Sequence, residues 1–189
     1  SEVIVSYIIQ LLEKDKYYAP FTMVDMEKKV FEDFTIHTLS GPCTLRIGGI
    51  IDRLDSKDGT LRIVDYKTGG EPSTVTSVES LFLPAEKRPG YVLQTFMYAA
   101  IMTRRQAMPV APSLLYIHKA ASPDYSPVIR MGEPYKDKTP VSDFRTYDEE
   151  FRARLQELLE EIFHPDIAFT QTKFASHCAY CDFRELCRR

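Results

Sequence analysis

No apolar run in this 189-residue chain approaches the roughly 20 residues that a bilayer span needs. Nor does a charged stretch, an apolar stretch and a small-residue cleavage site open it. Membrane-spanning and secreted classes are set aside, and a cytoplasmic location is the expectation. Positive charge is lacking too: 24 Lys and Arg stand against 27 Asp and Glu, a net charge of -3. That excludes a uniformly basic coat for nucleic acid but not a local groove. Candidate basic spots are Lys28 with Lys29, Lys87 with Arg88, Arg104 with Arg105, Lys119, and Arg188 with Arg189, most of them ordinary solvated surface. Cysteine is scarce, four in all, yet Cys178, Cys181 and Cys187 fall within ten residues. An initiating methionine is missing as well. The chain opens at Ser1 directly into a helical pattern, from which a piece of a longer protein is expected.

What is present suits one domain, or one domain with a small appendage: 44% of residues are hydrophobic, enough for a core. Residues 3–12 are apolar all around a helical wheel and predict a helix largely buried against other elements. The pattern turns toward strand from Met23 to Leu39, and Ser40-Gly41-Pro42 turns the chain back. Residues 44–55 and 61–67 are rich in β-branched and apolar side chains around the polar turn 56–60, so three sequential strands form a meander. A helix follows over 91–106, a buried strand over 113–118, irregular chain over 120–140 with one edge strand near Val128, and an amphipathic helix over 148–163. This order predicts an α/β sandwich with a mixed central sheet flanked by helices.

The hairpin carries the chemistry. A turn centred near Asp58 sets Asp52 opposite Val64 or Asp65, and Asp65 and Lys67, two apart, share a face. In the register that pairs Asp52 with Asp65, all three side chains converge. Like charges directly opposite on a sheet repel. Such a pair either borrows cations from the protein or holds a metal ion. Taken singly, Asp-Arg-x-Asp is a solvated strand end and Asp-x-Lys a surface ion pair of little worth. Gln94 and Tyr98, four apart on a helix, share one face; by themselves they are an ordinary surface pair.

Gly49-Ile50-Ile51-Asp52-Arg53-Leu54-Asp55, Val64-Asp65-Tyr66-Lys67-Thr68-Gly69 and the Gln-x-x-x-Tyr element Gln94 to Tyr98 together resemble the core of the RecB-like nucleases of the PD-(D/E)XK superfamily. Cys178-x-x-Cys181-x5-Cys187 is similar to the cysteine cluster of that family's iron-sulfur, AddB-type branch. The resemblance covers roughly residues 20–187 and implies a restriction-endonuclease-like core over 1–176, truncated at its amino end, with a cysteine-cluster tail over 177–189 packed on it. It implies Mg2+ or Mn2+ held by Asp52, Asp65 and the carbonyl of Tyr66, with Lys67 at the reacting phosphate and Gln94 and Tyr98 positioning the strand. Thr68 and Gly69 shape the strand exit. The implied activity is DNA hydrolysis, as an exonuclease working with a helicase in recombination and double-strand-break repair.

The family adds a further histidine or acidic ligand from an upstream helix, and no histidine precedes His37, itself on a strand and read as structural. Glu27 is a weak substitute because its segment matches the first strand. The missing ligand is expected before Ser1, so the piece is expected to be crippled or inactive. In the resembled branch the fourth cluster cysteine also comes from upstream, so a [4Fe-4S] cluster is expected in the intact protein and a broken site here. Cys43 reads as a small buried hydrophobe, and His177 beside Cys178 keeps zinc open. A different class of function is a catalytically inactive nucleic-acid-binding or scaffold domain of the same fold. Intact Asp52, Asp65 and Lys67 favour the enzyme. A third reading is a small zinc-binding interaction domain, resting only on the cysteines.

Overall fold

The computed structural model describes residues 2–72, 75–122 and 124–188. Helix α1 (Glu2–Tyr18) precedes β1 (Thr22–Thr38), β2 (Gly41–Lys57) and β3 (Thr60–Lys67). Helix α2 (Gly90–Thr103), β4 (Val110–Tyr116), the short β5 (Arg130–Met131) and β6 (Thr139–Pro140), and α3 (Arg145–Ile162) follow. The main sheet has the order β1-β2-β3-β4, antiparallel through β3 and parallel between β3 and β4. The meander, the helical crossover and the mixed sheet are those expected from the sequence.

Local chemistry sets the turns. Asp58 and Gly59 have φ of 50° and 75°, the paired positive values of a two-residue hairpin turn whose twist matches its strands. Ser56, Lys57 and Thr60, read as turn, instead continue the ladder as Ser56↔Leu61 and Lys57↔Thr60. Strand β4 begins at Val110 rather than Ser113. It ends at Tyr116, whose amide, like that of Leu114, points away from β3 and donates to the Tyr125 hydroxyl at 2.8 Å. Val128 does meet the sheet, bridging to Ser113.

Helices α2 and α3 cover one face of the sheet. Leu54, Leu61, Ile63 and Leu114 meet Phe96, Ile101, Phe144 and Phe151 there. Phe96, Phe144 and Phe151 pack with ring centroids 5.0, 5.8 and 6.1 Å apart, edge to face, the arrangement aromatic quadrupoles favour.

The other face carries α1, and here the expectation of a largely buried helix is corrected. None of its described residues is buried, and Val3, Ile4, Val5, Ile8, Ile9 and Leu12 are all more than half exposed. Its Tyr7 and Leu11 stripe packs against Val64, Leu115, Ile117 and Ala120. The helix is held at its carboxyl end by charge. Asp15 takes Arg53 at 2.7 and 2.9 Å, and Arg53 and Arg62 converge on the wholly buried Asp55 at 2.7 to 2.9 Å. Tyr18 caps that network with its ring 3.6 Å from the Arg62 guanidinium.

Past α3 the chain runs through turns. Ser176 and His177 reach the Glu86 carboxylate (3.0 Å) and carbonyl (2.6 Å), while Tyr180, Phe183 and Leu186 stand in solvent. Among the described residues no helix is long and apolar enough to cross a membrane.

Candidate active site

Strand register brings the two carboxylates together. Arg53 pairs with Val64, and one further step along the ladder sets Asp52 level with Asp65. An Asp52 carboxylate oxygen accepts the Tyr66 amide at 2.7 Å, so its position is fixed by backbone. Asp65 is buried, 3% of its side chain remaining exposed, and its Oδ2 is ion-paired with the Lys67 ammonium. Apart from that ion pair, the same oxygen has no hydrogen-bond partner among the described residues. Burial pushes the Asp65 carboxyl above the ordinary carboxylate range; Lys67 opposes the shift and the Asp52 charge adds to it.

Lys67 is the hub. Besides Asp65 it reaches Gln94 Oε1 at 3.2 Å, and Gln94 Nε2 donates to the Tyr98 hydroxyl at 3.0 Å. The chain from Asp65 through Lys67 and Gln94 to Tyr98 thus joins the end of β3 to one face of α2. Tyr98 is buried over β2, close against Gly49. All six residues expected at the nuclease centre, Asp52, Asp65, Tyr66, Lys67, Gln94 and Tyr98, therefore lie in one neighbourhood.

Two tyrosines not foreseen from the sequence border the same place. Tyr91, on the first turn of α2, holds its ring 4.2 Å from the Lys67 ammonium. Its only sequence signal is a spacing of three from Gln94, which shares that side of the helix. Tyr116 is the parallel-strand neighbour of Lys67. Its buried hydroxyl has no hydrogen-bond partner among the described residues. Burial raises its pKa, with Tyr91, Asp65 and Glu71 adding to the effect. Nothing in the sequence marks Tyr116, because the pairing is made across the α2 crossover.

Glu27 falls level with Asp52, where the β1–β2 ladder skips from Met26↔Arg53 to Lys28↔Ile51 and residue 27 takes φ 51°. It is exposed. Among the described residues no three His, Cys, Asp or Glu side chains gather as a metal-binding group. The donor set at the hairpin is thus two carboxylates and neighbouring backbone oxygen. A buried carboxylate beside a second carboxylate fits a hard divalent cation, which favours oxygen ligands.

Cys178, Cys181, Cys187 and Cys43 are all free thiols, and Cys43 sits on β2 opposite Ile36. His37, read as structural, gives its amide to Glu160 at 2.9 Å.

A family model described as PD-(D/E)XK nuclease superfamily matches residues 1–188. No curated protein matches the chain.

Proposed function

This chain belongs to the PD-(D/E)XK nuclease superfamily, and from that premise we propose that it is a divalent-metal-dependent DNA nuclease working at the β2–β3 hairpin. Its mixed sheet flanked by helices is the restriction-endonuclease-like fold of that family. The observation that carries the proposal is the juxtaposition of Asp52, Asp65 and Lys67, continued through Gln94 to Tyr98. A purely structural domain gains nothing from a repelling carboxylate pair.

Asp52, Asp65 and the Tyr66 carbonyl would hold Mg2+ or Mn2+. Bound there, such an ion supplies an acidified water and a Lewis acid for a phosphoryl oxygen. Lys67 places its ammonium beside these carboxylates, where it counters negative charge developing at phosphorus. Gln94 holds the lysine at the distance its 3.2 Å hydrogen bond sets, and Tyr98 fixes the Gln94 amide. The exposed Thr68 hydroxyl lies at the strand exit, within the reach of a neighbouring phosphate.

The finer reading is an exonuclease acting with a helicase in recombination and double-strand-break repair, in the cytoplasm. It is supported by the cysteine triplet, whose spacing resembles the AddB-type branch. In that reading Cys178, Cys181 and Cys187 hold a [4Fe-4S] cluster completed by a ligand from outside the triplet. Iron and acid-labile sulfide in anaerobically purified protein support it; zinc without sulfide overturns it.

The deciding experiment is degradation of linear DNA in Mg2+ and Mn2+, beside the Lys67→Ala variant. Metal-dependent cleavage that the variant lacks establishes the nuclease. A folded protein that binds Mn2+ and DNA but cleaves neither duplex nor single strands is the non-catalytic scaffold instead.

A further inference from the structure

Tyr91 is placed to do more than touch Lys67. The ammonium lies 4.2 Å from its ring centre, yet 45% of the residue remains in solvent. Its turn is rigid, since its carbonyl accepts the buried Thr95 hydroxyl at 2.7 Å. One ring edge rests near Gly70, where a Cβ would stand 3.5 Å from Cε2, and the space over Gly69 is open. Just ahead of the helix, Lys87 and Arg88 are exposed and have no ion pair or hydrogen bond among the described residues. The acid that precedes them, Glu86, is engaged by Ser176. An exposed aromatic ring beside the Lys67 ammonium, with two exposed cations three and four residues ahead of it in the chain, has the parts of a nucleotide subsite.

We propose that Tyr91 is the stacking platform for the nucleobase adjoining the scissile phosphate, and that Lys87 and Arg88 meet the backbone of the same single strand. The inference rests on the nuclease reading and narrows its substrate class to single-stranded or frayed DNA. A base lies one sugar away from its phosphate, so with phosphorus near Lys67 an adjoining base comes within reach of the ring. Within a duplex that base is already stacked on both faces. A blunt end offers only the outer face of its last pair, whereas an unpaired strand lets the base adjoining any phosphate turn onto the ring, and stacking of this kind is tolerant of sequence because every base has a π-face.

The test reads binding rather than cleavage. A single-stranded oligothymidylate with a terminal 2-aminopurine is titrated with the full chain, in EDTA and again in Ca2+. Stacking on Tyr91 quenches the fluorophore. Tyr91→Ala abolishes the quench and weakens binding about tenfold, while Tyr91→Phe and Tyr91→Trp retain both. Replacing Lys87 and Arg88 together by alanine weakens binding and flattens its salt dependence, with the quench at saturation unchanged. The proposal is overturned if Tyr91→Ala binds and quenches like the wild type, or if blunt duplex DNA binds as tightly as the single strand. Failure of the two readings is separable. Quenching without hydrolysis sinks the nuclease and keeps the platform; Lys67-dependent hydrolysis without Tyr91-dependent quenching does the reverse.

Discussion

Tyr98 packs so closely on Gly49 that a Cβ at position 49 would stand 2.6 Å from its hydroxyl oxygen. The glycine at the head of Gly-x-x-Asp is thereby explained by space. It admits the tyrosine that orients Gln94, which in turn holds Lys67. The spacing from Gly49 to Asp52 ties metal-side and helix-side groups to one stretch of β2.

Gly49→Ala is expected to displace Tyr98 and cost about 1–3 kcal/mol, the usual penalty for overpacking. Cleavage should fall with it because the Gln94–Lys67 bond loses its support. Adding Tyr98→Phe removes the clashing oxygen and should recover part of the stability but not the activity. Urea unfolding of the single and double variants is the check; a stable Gly49→Ala protein would show that the tyrosine has room to move.

Asp65→Asn should stabilise the metal-free protein and weaken Mn2+ binding. The folded carboxyl titrates above its ordinary value through burial and the Asp52 charge, against the opposing pull of Lys67. Its contribution is therefore fully present at pH below the ordinary carboxylate range and is lost as pH rises through the raised value. Urea unfolding in EDTA from acidic to neutral pH should show that loss in the wild type and not in the variant. Unchanged Mn2+ affinity would remove Asp65 from the metal site.

Asp55→Asn tests a different carboxylate, on β2, the strand that carries Asp52. Asp55 is fully buried and accepts Arg53 once and Arg62 twice. Its loss leaves both guanidinium groups short of an anion inside the protein and should cost about 3–5 kcal/mol. Mn2+ affinity of the folded fraction should stay as it was. An unfolding midpoint equal to the wild type would mean that the Asp15–Arg53 pair alone secures α1.

Tyr125→Phe should destabilise by about 1–3 kcal/mol, since the Tyr125 hydroxyl serves both the Leu114 carbonyl and the Tyr116 amide at 2.8 Å, and both would be left unpaired. Burial pushes the Tyr125 pKa up to about 12. The stability it brings is present below the ordinary tyrosine value near 10 and is lost as pH rises through the folded value. Alkaline unfolding followed by circular dichroism should therefore be less steep in the variant. Identical alkaline curves would place that loss in another group.

The meander, the crossover helix, α3 and the six hairpin and α2 positions were legible in the sequence because each leaves a local mark. Alternation marks a strand, helical spacing marks α2 and α3, turn residues mark the hairpin, and a fixed offset sets Asp65 beside Lys67. The register that joins Asp52 to Asp65 was left between two choices by the turn alone. The positive φ at Asp58 and Gly59 and the ladder through Arg53↔Val64 decided it.

Burial was less legible. The apolar sequence of α1 says only that it prefers cover, whereas what it touches depends on where Asp15 finds Arg53. Tyr116 and the close fit of Gly49 to Tyr98 left no periodic signal, and Tyr91 left only its spacing of three from Gln94, because each contact joins segments that meet only after the chain has folded. Sequence by itself determined the elements and the residue types that chemistry needs, through short-range periodicity and spacing. Only the tertiary structure decided which of those residues share a site, because a contact between distant segments is set by register, helix placement and packing space together.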